Sequence, residues 1–147
     1  EIKHIKDALD RIFHLIPMEE STRIIRTTAI NEPALILIND YKIEQITIMA
    51  YLPTLERADI GHLFATGDQH AFRMDDVHVD PIYQDSAIGS KMMEQLIQIA
   101  QRHHATRIWG QFSRPEDDRD KWVHFLRKFG YTVSVEAGGK MNIELVL

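Results

Sequence analysis

Apolar residues recur three and four apart at Ile2, Ile5, Leu9, Ile12, Phe13 and Ile16, a spacing that predicts an amphipathic helix ended by Pro17. Met18 to about Thr28, with Ile24 and Ile25, reads as a second helix. Beyond Pro33 the period shortens. Ala34–Ile38 predicts a buried strand, Asn39-Asp40-Tyr41-Lys42 a turn, and Ile43–Leu52 a further strand stopped by Pro53. Residues 54–67 fit two descriptions: Leu55, Ile60, Leu63 and Phe64 suit a helix ending at Gly67 or an irregular loop. Ala71–Val79 predicts a strand closed by Pro81.

From Ile88 the helical period returns, with Met92, Leu96, Ile99, Ala100 and His103 on one stripe. Thr106–Phe112 is a short strand. Glu116, Asp117 and Asp118 then suit the positive end of a helix whose apolar face is Trp122, Phe125, Leu126 and Phe129 and whose C-terminal cap is Gly130. Alternating Tyr131, Val133, Val135 and Ala137, then Gly138-Gly139, then Met141, Ile143, Leu145 and Leu147 predict a terminal hairpin. The expected fold class is mixed α+β, in one domain over residues 1–147, without repeats or linkers.

Composition narrows this picture. The chain has 147 residues, enough for a single core. With 44% apolar residues it is not disordered, it has no run long enough to span a membrane, and its N-terminus lacks the apolar stretch of a signal peptide. It has no Cys, which excludes disulfides, thiolate metal sites and Cys nucleophiles and fits a cytoplasmic location. A net charge of −5 disfavours nucleic-acid binding and favours cationic partners such as amines. The chain starts at Glu1 rather than Met, which fits removal of a leader or a domain cut from a longer chain.

The stretch from Asp76 to Tyr131 carries the chemistry. A strand running through Val77, His78 and Val79 into a turn with small residues at Ser86, Ala87, Gly89 and Ser90, then a helix, makes an anion site. Helix-start N–H groups point outward there, and small side chains let a phosphate approach the backbone. Lys91 offers a counter-charge. The same sequence also describes a plain tight turn with a packing glycine. Eight His residues raise the question of a metal, but Asp76, His78 and Asp80 alternate on one strand without further ligands at metal spacing, so no metal is expected.

Val79-x-Pro81-x-Tyr83-Gln84-x-x-Ala87-x-Gly89, followed by a helix, a strand, a second helix and Phe129-Gly130-Tyr131, resembles the GNAT-type N-acetyltransferases. The resemblance covers roughly residues 72–147 well, the cofactor-binding core and hairpin. Residues 1–71 agree in general order, as a helix pair and first strands. It implies a central, mostly antiparallel sheet with a V-shaped split between two strands, flanked by helices, and with the family's first strand missing here.

It further implies acetyl-CoA as co-substrate, with its diphosphate on the backbone of Gln84, Asp85, Ser86, Ala87, Ile88, Gly89 and Ser90. The edge of the Val77–Val79 strand would hold the pantetheine arm as an added strand, and an N–H near Val79 would polarise the thioester carbonyl.

The sequence departs from the family pattern in two places, the loop and the second helix. Ala87 replaces the first Gly of the loop, and Leu126 stands where many members have a Tyr that protonates the leaving thiolate; Arg119 and Trp122 replace an Asn and an Ala. Tyr131, Ser113 or water would then supply that proton. The family's base positions fall on Asp75 and Arg73. Asp75 is the first candidate as base or amine anchor and His78 the second, on the opposite pleat of a regular strand; Arg73 is suited to attracting an acidic group.

The expected function is acetyl transfer to a primary amine, of a small molecule such as a polyamine or aminoglycoside-like compound or of a protein, by direct attack in a ternary complex. The competing expectation is a binding or regulatory module that keeps the fold without transferring acetyl. A third is a fragment of a larger enzyme. The terminal hairpin edge is a candidate homodimer surface.

Overall fold

The computed structural model describes residues 23–27, 34–52, 57–84 and 87–147. Their elements are β1 (Arg23–Thr27), β2 (Ala34–Asn39), β3 (Ile46–Leu52), β4 (Arg57–Gly67), β5 (Ala71–Val79), a 3-10 turn (Pro81–Tyr83), α1 (Ile88–Arg102), β6 (Arg107–Ser113), α2 (Glu116–Lys128), β7 (Thr132–Val135) and β8 (Lys140–Val146). The eight strands form one sheet in the order β1-β2-β3-β4-β5-β6-β8-β7. Every neighbouring pair is antiparallel except β5–β6. Mixed α+β architecture with a mostly antiparallel sheet is therefore what the chain adopts.

Two expectations need correcting. Arg23–Thr27 is a strand, not the end of a helix running from Met18. Its Ile-Ile pair and Thr are β-branched, and pairing Ile24 with Leu37 and Ile25 with Ile36 outweighs a helical spacing that only two apolar residues supported. The 57–67 segment is neither helix nor loop but the eleven-residue strand β4. Its alternation was disguised. Small Gly61 and Ala65 face the core beside Leu63, while Phe64 stands on the other face with His62 and Thr66, all three partly exposed. The helix expected over residues 2–16 lies outside the described residues.

The core fills the space between the sheet and α1. Ile88, Met92, Met93, Leu96, Ile99 and Ala100 are buried on one helical stripe, against Ile36, Ile48, Leu63, Met74 and Val77 from the strands. The neighbouring residues of β2 and β3 are buried on the opposite face too: Leu35 and Tyr51, register partners, are both 0% exposed. Burial on both faces explains why Ala34–Ile38 is a continuous apolar run rather than an alternating one.

β5 carries a bulge. Phe64 pairs with Asp76 and the next residue, Ala65, pairs with Met74, so Asp75 is the extra residue. Phe72 and Met74 point inward before it and Val77 and Val79 after it, which puts Arg73, Asp75 and His78 all on the exposed side. On its other edge β5 runs parallel to β6 through Ala71↔Arg107, Phe72↔Ile108 and Arg73↔Trp109, and among the described residues the pairing extends no further. Beyond that point the two strands diverge into a split. Gly110 lies at its start, where an added Cβ would sit 2.8 Å from the Met74 carbonyl oxygen.

Candidate active site

The chain leaves β5 at Asp80, whose carboxylate accepts from the Ile82 amide at 3.3 Å and starts the 3-10 turn. It enters α1 through Ala87, which takes a left-handed backbone (φ 66°, ψ 7°) and donates no side-chain cap to the helix. An L-residue pays for that angle, which glycine would adopt without strain. The first amides of α1 therefore keep the orientation that makes a helix N-terminus attractive to anions. Asp85 and Ser86, two of the expected cradle residues, lie outside the described residues.

A groove of about 300 Å³ opens between this helix start and α2. Val79, Gln84, Ala87, Gly89 and Ser90 line one side, and Lys121, Trp122, His124, Phe125 and Lys128 the other. Gly89 is buried beneath Phe125, with room for no more than an ordinary contact, 3.4 Å from a built Cβ to that ring. Lysines 121 and 128 put two cations beside the positive end of the α1 dipole, so the groove suits a polyanion. Lys91, expected to supply the counter-charge, is instead 3.7 Å from Glu94 on its own helix, and it does not line the groove. The α2 cations were missed in the sequence. With His124 they lie on one helical stripe (121, 124, 128), but nothing local says which element that stripe faces.

In the split, Val77 and Val79 offer their carbonyls to two side chains. The Arg114 guanidinium donates to the Val77 carbonyl, and the Gln84 side-chain amide donates to the Val79 carbonyl at 3.2 Å. Gln84 is itself held by Lys121 Nζ at 3.0 Å. Trp122 closes the floor, 7% exposed, with its indole N–H donating to Asp118 at 2.9 Å.

The proton-handling candidates separate by environment. Asp75 accepts from Thr66 Oγ1 and from Arg73 Nε, both at 2.6 Å. His78 is exposed and pairs across the sheet with His62, the ring centroids 5.4 Å apart. The bulge brings His78 to the same exposed side as Asp75, as the overall register requires. Tyr131 is 3% exposed; its hydroxyl donates to Met93 Sδ at 3.3 Å, and burial pushes its phenol well above the usual range. Ser113 is exposed at the end of β6, and Leu126 is a core residue, 1% exposed.

Sequence reasoning also missed an acid–imidazole pair: His62 Nε2 and Asp76 Oδ2 are 2.8 Å apart, with Arg114 Nη2 at 3.9 Å from the other carboxylate oxygen. No group of three metal-ligating residues occurs among the described residues, and none of their helices is long and apolar enough to cross a membrane.

Residues 9–131 match the profile described as "Acetyltransferase (GNAT) family". The sequence matches none of the curated proteins it was compared with. Among solved structures, the chain is similar to PaiA N-acetyltransferase from Thermoplasma acidophilum in complex with coenzyme A (14% identity, TM-score 0.59, 71% of this chain and 62% of that one). It is also similar to a GNAT family acetyltransferase from Elizabethkingia anophelis with acetyl-CoA bound (12% identity, TM-score 0.57, 88% and 100%). A third is nourseothricin acetyltransferase (14% identity, TM-score 0.56, 84% and 82%). The match thus spans less than two thirds of PaiA, and at these identities the likeness is one of fold.

Proposed function

Because this chain belongs to the GNAT acetyltransferase family, we propose that it transfers an acetyl group from acetyl-CoA to a primary amine. The observation that carries this reading is the groove between the α1 N-terminus and α2, with Lys121 and Lys128 on its far wall and the diverging edge of β5 at its end. The α1 amides and the two lysines would hold the diphosphate, by dipole and by charge. The β5 edge would align the arm as an added strand.

The amine nitrogen attacks the thioester carbonyl carbon, the C–N bond forms and the C–S bond breaks, and a base takes one N–H proton while the thiolate leaves. His78 is the base that the arrangement favours. Its imidazole is exposed beside the bulge, whereas Asp75 is committed to Arg73 and Thr66. Tyr131 is enclosed against Met93, so solvent supplies the proton to the thiolate. The acceptor approaches over the exposed face of β4 and β5; an amine that reaches it as a cation meets the carboxylates of Asp75 and Asp76 there.

One observation favours a second reading, a module that keeps the fold and transfers nothing. Both edge carbonyls that an arm would use already accept from side chains, at Val77 and Val79. Calorimetry with acetyl-CoA and CoA, paired with thiol release over a panel of amines, separates the two. Amine-dependent thiol release supports the transferase; tight CoA binding without release supports the module; no binding of either ligand overturns both.

A further inference from the structure

The split between β5 and β6 has an internal occupant. β6 ends at Ser113, and the next residue, Arg114, reaches across the gap to the far strand. Its guanidinium donates to the Val77 carbonyl, lies 4.6 Å over the Trp122 ring and 5.8 Å from the Phe112 ring, and is 3.9 Å from Asp76. The side chain is 16% exposed. A hydrogen bond, an aromatic face and a nearby carboxylate all hold it in one place. The backbone beneath is steadied by Arg119, whose Nη2 donates to the Arg114 carbonyl at 3.4 Å.

Residues two apart on a strand point their carbonyls to the same side. The Val77 carbonyl, reached from β6, and the Val79 carbonyl therefore face the split, where a ligand adding itself as a strand would place its amide N–H groups. From this we infer that Arg114 is a specificity-determining residue: it competes with the amide-bearing arm of an acyl-CoA for the edge of β5, and its bulk in the split restricts the acyl group to a short one. This rests on the proposed function, since it takes an acyl-CoA as the ligand.

Arg114→Ala and Arg114→Gln, each checked for a cooperative melt, test the inference by calorimetry with CoA and by transfer rates with acetyl-CoA and butyryl-CoA. Losing a charge-assisted competitor is expected to tighten CoA binding about tenfold. In Arg114→Ala the preference for acetyl over butyryl is expected to fall by about tenfold as the split opens. CoA binding found in the variants and not in the parent chain supports the inference outright. Affinity and preference unchanged in both variants overturn the Arg114 assignment and leave the transferase reading standing. Weaker CoA binding overturns it as well, by making the guanidinium a holder of the ligand. Absence of CoA binding in parent and variants alike overturns the functional reading itself. The Gln variant keeps much of the side-chain volume, so it answers the question of affinity should the Ala variant fail to fold.

Discussion

At its Val79 end β5 opens onto a groove of about 300 Å³, whereas the space between the same strand and β6 is taken by the side chain of Arg114. The two places lie within a few residues of each other on one strand. One wall of the groove is made by local backbone, a left-handed turn at Ala87, a helix start without a side-chain cap and a glycine at position 89, and the other by α2 side chains. The split is filled by a side chain that arrives from a remote part of the chain, Arg114, stacked on Trp122, which also lines the groove. The helix-start wall of the groove is thus built locally, while its lysine wall and access to the strand edge are set by tertiary packing.

The largest expected effect comes from driving the two strands apart at the start of the split. Gly110→Ala would put a Cβ 2.8 Å from the Met74 carbonyl oxygen, so backbone must shift. Overpacking of this kind costs about 1–3 kcal/mol, readable as a lower urea midpoint. Unchanged stability would mean that β5 and β6 part without resistance and that their close approach is not what sets the width of the split.

A smaller gain is expected in the groove. Ala87→Gly relieves a left-handed alanine, worth roughly 1–2 kcal/mol, against an added unfolded-state entropy of about 0.4–1 kcal/mol. The net is a modest rise in melting temperature, with CoA binding equal or tighter in calorimetry. A loss of stability would say that the φ of 66° carries no strain there.

The smallest effect separates groove and split from the core beneath them. Burial raises the Tyr131 phenol, so the folded chain keeps its proton while the unfolded chain releases it above about pH 10. That contribution to stability is whole below this pH and is lost as the pH rises. Tyr131→Phe removes the group, and urea midpoints measured from pH 8 to 11 should then fall less steeply than in the parent chain. The proposed acetyl transfer, measured at neutral pH, should change little, because the hydroxyl faces Met93.

Much of the C-terminal half was legible in the sequence. The stripe from Ile88 to Ala100, the acidic start and glycine stop of α2, and the hairpin about Gly138-Gly139 use strong local signals, and each element lies where its signal placed it. Gly130 has the positive φ (97°) that a helix stop calls for, and Tyr131 N–H returns to the Leu126 carbonyl at 3.2 Å. The N-terminal half was less legible. Arg23–Thr27 and Arg57–Gly67 become strands because neighbours exist to pair with them, and the inward side of β4 uses glycine and alanine where a pattern reader looks for large apolar residues.

The site divides the same way. The sequence by itself determined the turn after β5 and the helix start that follows, since proline, small residues and helical periodicity act over a few neighbours. It also limited the chemistry, because a chain without cysteine has no thiol to carry an acyl group. Only the tertiary structure decided that Asp75 is the bulged residue, that His62 meets Asp76, that Lys121 and Lys128 face the groove, and that Arg114 spans the split. Those facts depend on strand register and on contacts between residues far apart in the chain, 37 positions for Arg114 and Val77, which no local pattern encodes.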